Sequence, residues 1–145
     1  MSDPVTTMVA RLKDLSAVTD IIGSGNNAKI EPVRSHQGVA LPRITYQRIG
    51  GEGPVNAAGG TTKTAEARIQ IYCDAATYDG AWTLARVVQG DCDPTSPTGL
   101  SGWIDGNGDT WHLVLGPLDR PVPVKTDQDE APFQVVQDYI IWYSE

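Results

Sequence analysis

The sequence predicts an α+β fold: a mainly antiparallel sheet with two helices packed on one face and long projecting loops. Three observations predict it. Apolar residues recur at helical spacing near the N-terminus and again in mid-chain. Elsewhere, apolar and polar residues alternate with a period of two, as half-buried strands require. The elements run helix, strand, strand, helix, hairpin, strand, without the strict strand–helix alternation of a parallel sheet.

Val5, Met8, Val9, Leu12 and Leu15 form one apolar stripe, so the first helix spans roughly 5–15. Pro4 suits its first turn, where a missing N–H costs nothing, and Ser2 or Asp3 can cap it. Ser16 can cap a shorter second piece ending at Ile22, with Gly23 as its stop. Residues 28–40 read as irregular, with an apolar touch at Ile30. Leu41 to Ile49 reads as a strand with Pro42 at its start or on an edge, because proline cannot donate to a ladder. Ile44 and Tyr46 face one way; Arg43, Thr45 and Gln47 face the other.

Residues 50–63 are glycine-rich, with Val55 as the only anchor, and are expected to project. The next strand is the cleanest in the chain. Ala65, Ala67, Ile69, Ile71 and Cys73 alternate with Glu66, Arg68, Gln70 and Tyr72. Asp74 or Thr77 then caps a helix whose stripe is Tyr78, Ala81, Leu84, Ala85 and Val88, ended by Gly90 and Pro94. Residues 91–99 are a polar connector. A hairpin follows, 103–104 and 110–115, turning on 105–109 with Asp-Gly and Asn-Gly, which tolerate positive φ. Residues 116–132 carry four prolines and an acidic cluster, and are expected to form a second projecting loop. The last strand runs from Phe133 to Tyr143, with Phe133, Val135, Tyr139, Ile141 and Tyr143 on one face.

The length of 145 residues suits one domain, expected over 1–145, and is enough for a core without staples. The net charge of −7 is unevenly spread. Residues 1–68 hold eight Lys/Arg and six acids; residues 69–145 hold three and twelve. An acidic body argues against tight DNA binding, which rests on Lys and Arg neutralising phosphates. Two cysteines make no disulfide scaffold: Cys73 falls on a buried register, and Cys92 sits between Asp91 and Asp93, which disfavour a thiolate. No cationic leader and no apolar run of the about 18–20 residues that span a bilayer is present, so a soluble protein made in a reducing cytoplasm is expected.

No pattern carries catalysis, a metal or a cofactor. Asp105-x-Asn107-x-Asp109 begins like a calcium loop, but Thr110 and Gly116 stand where glycine and the bidentate glutamate belong, so it reads as a hairpin turn. His36 and His112 lack partners at ligand spacing. Gly23-Ser24-Gly25 is not a nucleophile elbow, and Gly50-Gly51-Glu52-Gly53 lacks the lysine and hydroxyl of a phosphate cradle. Arg43, Arg48, Lys63 and Arg68 border the strands beside the first long loop. They form either a solvated sheet face or an intersubunit or lumen-facing surface.

One resemblance takes in most of the chain. The helix at Val5–Leu15 leads to Ala17-Val18-Thr19-Asp20-Ile21-Ile22-Gly23. Next come Ala40-Leu41-Pro42-Arg43-Ile44-Thr45-Tyr46-Gln47, the glycine-rich loop, and Thr64 to Asp74 with Arg68-Ile69-Gln70-Ile71 at its centre. Thr77-Tyr78-Asp79-Gly80-Ala81-Trp82 opens the helix after it. This order resembles the tail completion, or tail terminator, proteins of long-tailed phages and phage-like particles. The match is good over 5–90 and only an outline beyond; residues 91–132 depart from the shortest members.

The resemblance implies a virion protein without cofactors that forms a homo-hexameric ring on the head-proximal end of the tail tube. Its implied partners are the tail tube protein and a head-tail connector or head-closure protein. DNA passes through the lumen without specific binding, and no membrane is involved. A ring needs one heterologous interface repeated until it closes, which the opposed charge of the two chain halves suits. The residues expected at subunit or partner interfaces are Arg43, Arg48, Glu52, Val55, Lys63, Glu66, Arg68, Asp127, Asp129 and Glu130. The alternatives are another neck or tail component, such as a head-closure or tube protein, or an unrelated small binding module.

Overall fold

The computed structural model describes residues 4–23, 25, 28–32, 42–50, 55–56, 63–91, 96–105, 108–120 and 133–144. Three helices are present among the described residues: the two expected to pack on the sheet, and the shorter second piece expected to end at Ile22. The N-terminal pattern is split into α1 (Pro4–Asp14) and α2 (Ser16–Ile22) by Leu15, whose φ of −84° and ψ of 111° are extended. Leu15 therefore holds the cap position expected for Ser16, and Ser16 is the first helical residue. α1 buries Pro4, Met8 and Leu12, and α2 buries Val18 and Ile22. Each such aliphatic side chain removed from water contributes about 1.5–3 kcal/mol. Helix α3 (Tyr78–Gln89) is capped by Thr77, not Asp74: the Thr77 hydroxyl accepts the Gly80 N–H at 3.1 Å.

Six strands form one sheet: β1 (Ile30–Pro32), β2 (Arg43–Gly50), β3 (Val55–Asn56), β4 (Lys63–Ala75), β5 (Trp111–Arg120) and β6 (Phe133–Ser144). Their order is β1-β2-β4-β6-β5, with β3 pairing β4 off that path. Among the described pairings β1–β2 is parallel, and β2–β4, β3–β4, β4–β6 and β5–β6 are antiparallel.

Several expectations change here. Residues 30–32 form a strand within the stretch read as irregular, because three residues ending in proline are too few to show a period. The glycine-rich segment contains β3, whose Val55 and Asn56 pair with Thr64 and Lys63. Residues 51–54 and 57–62 lie outside the described residues, so its projection is not described. The loop expected to start at 116 begins no earlier than 121, because β5 runs on through Pro117 to Arg120 by shifting register twice against β6. Residues 121–132 are not described.

One core joins Met8, Leu12, Val18 and Ile22 to Leu84, Ala85 and Val88 of α3. The same core takes in Ile44, Ile69, Ile71, Cys73, Val135, Tyr139 and Ile141 of the sheet and Trp111 of β5. Apart from Trp111, these strand members are residues that alternation assigned to an apolar face. Leu100 joins them from the connector, fully buried. Gln137 shares their face and is also fully buried. Its Nε2 donates to the Ala85 carbonyl at 3.1 Å, and its Oε1 accepts the Tyr139 hydroxyl.

Candidate interaction surfaces

The opposite sheet face is polar and closely bonded. Register places Arg43, Asp74 and Gln134 in one row, Thr45, Tyr72 and Val136 in the next, then Gln47, Gln70 and Asp138. The Arg43 guanidinium bonds Asp74 Oδ2 at 3.0 Å, and Gln134 Nε2 donates to Asp74 Oδ1 at 2.7 Å. Gln47 Nε2 donates to the Tyr72 hydroxyl at 2.9 Å, which in turn donates to Gln70 Oε1. Arg68 reaches diagonally to Asp138 Oδ2 at 2.7 Å. The alternation left this face either wet or packed on a partner, but Arg43, Thr45, Tyr72 and Asp74 are already buried within the single chain. Long side chains lying across neighbouring rows bury one another's polar ends while bonding them.

A second surface lies on α3. Tyr78, Trp82 and Arg86 follow one another down the helix side and, with Asp79 and Thr83, line a recess of about 470 Å³. Arg86 stands over the Trp82 ring, 5.7 Å from its centroid, and Tyr78 packs edge-on against Phe133.

The third surface is the β5 edge and the segment that leads to it. Leu100 and Ser101 donate to the Val88 and Gln89 carbonyls, filling the last turn of α3. The two backbones cross so closely that a Cβ on Gly90 would lie 2.2 Å from Gly99 N, and one on Gly99 would lie 2.5 Å from the Gln89 carbonyl carbon. Arg11 of α1 secures the crossing: its Nη2 donates to the Pro97 carbonyl at 2.9 Å, and its guanidinium lies 5.0 Å from the Trp103 ring centroid. Asp105 organises the turn. One carboxylate oxygen accepts the Asp109 N–H, and the other accepts the Trp111 indole. That carboxylate and partial burial raise the Asp109 pKa, burial being the larger cause. Beyond the turn, Val114, Leu115 and Leu118 of β5 are exposed.

The residues expected at interfaces are dispersed. Arg43 is 6% exposed and committed to Asp74. Arg68, 40% exposed at its side chain, holds Asp138, and Glu66 on the same face is half-buried. Arg48 is exposed on β2. Val55 on β3 pairs with Thr64, and Lys63 on β4 pairs with Asn56. Glu52, Asp127, Asp129 and Glu130 lie outside the described residues. Sequence reasoning missed Asp74, Asp138 and Arg11. A carboxylate at 138, inside a largely apolar strand, was the signal that a cation opposes it. Burial raises the pKa of both the Cys73 thiol and the Tyr139 hydroxyl, and no cluster of His, Cys, Asp or Glu among the described residues could hold a metal.

The family model for Tail completion protein gp17 matches residues 6–98. The chain belongs to that family. The matched stretch holds β1 to β4, α2, α3 and all but the start of α1, while β5 and β6 lie beyond it. A comparison with curated proteins finds no match. Membership makes this a structural protein associated with a phage tail, working in contact with other phage proteins. No helix among the described residues is long and apolar enough to cross a membrane.

Proposed function

We propose that this tail completion protein forms a ring on the head-proximal end of the tail tube, stops tube growth and supplies the surface on which the head docks. The observation that carries the proposal is the family match across residues 6–98. The chemistry agrees with it. The surfaces are bonded polar planes, aromatic recesses and apolar edges, suited to holding proteins rather than transforming substrates. With a net charge of −7, a ring of such subunits would repel DNA phosphates rather than retain them as the genome passes.

Inactivating the gene tests the proposal. Filled heads and separate, overlong tails are expected, and the gene supplied in trans restores joined particles. Normal particles from the inactivated strain would refute it. Long tubes grown from this protein alone would instead make it a tube subunit.

A further inference from the structure

We draw no further inference here: the strongest candidate, the aromatic recess on α3 between Tyr78, Trp82 and Arg86, is lined by both a cation, Arg86, and a carboxylate, Asp79, so that its charge selects no partner, and nothing in the structure shows what covers it.

Discussion

Arg68 and Asp138 meet diagonally across β4 and β6 at 2.7 Å, but they are not equals: the Asp138 side chain is 1% exposed and that of Arg68 is 40% exposed. One carboxylate oxygen takes the guanidinium, and the other, with Arg68 Nε, is buried without a hydrogen-bond partner. Removing the cation strands a buried anion, whereas removing the anion leaves a cation that can turn to water. Arg68→Met should therefore cost about 2–4 kcal/mol and Asp138→Asn about 1 kcal/mol, read from urea unfolding. Equal losses would contradict this asymmetry.

The Gly90–Gly99 crossing sets a second asymmetry. Gly90 has φ of +74° and backbone within 2.6 Å of a would-be Cβ, while Gly108 has φ of +85° and nothing within 4 Å. Gly108→Ala bears only the left-handed penalty of about 1–2 kcal/mol. Gly90→Ala and Gly99→Ala must also push two backbones apart, and each should lose about 3 kcal/mol or more. Thermal melts of the three variants check the order.

Gln137 is a polar side chain placed wholly inside the core, bonded to Ala85 on α3 and to Tyr139. Gln137→Leu leaves the Tyr139 hydroxyl without its acceptor and should cost about 1–3 kcal/mol. Tyr139→Phe in the same chain removes the stranded group. The double variant should therefore be more stable than the sum of the single losses implies, and a double-mutant cycle by chemical denaturation measures that coupling.

Asp109 gives a pH dependence. Its pKa in the folded chain is raised from 3.8 by partial burial, then by the Asp105 carboxylate. A raised carboxylate favours the protonated form in the fold. Its stabilising effect is full below 3.8 and is lost as pH rises through the folded value. Asp109→Asn should raise the melting temperature at pH 7, with the gain vanishing below the ordinary aspartate range. Because the group is mostly solvated, added salt should shrink the gain.

Much of the fold was legible because buried positions repeat. The alternation from Ala65 to Cys73 placed β4, and the stripe from Tyr78 to Val88 placed α3. What the sequence hid was long-range bonding. Nothing local marks Arg11 as the residue that clasps the Pro97 carbonyl, or Gly99 as the partner of Gly90. The 30–32 strand was too short for a period, and the shifts along β5 disguised 116–120 as loop. The polar sheet face read as solvated or as packed on a partner because alternation tells direction, not depth. Asp74 and Asp138 are buried there because Arg43 and Arg68 reach across from neighbouring strands.

Electron microscopy of purified tail tubes, with and without the purified protein, tests the central claim most directly. With it, tubes should stop at uniform length and carry one ring of density at a single end, and heads should then attach at that end. Tubes that keep growing, carry no end density and never join heads in its presence would contradict a terminating role.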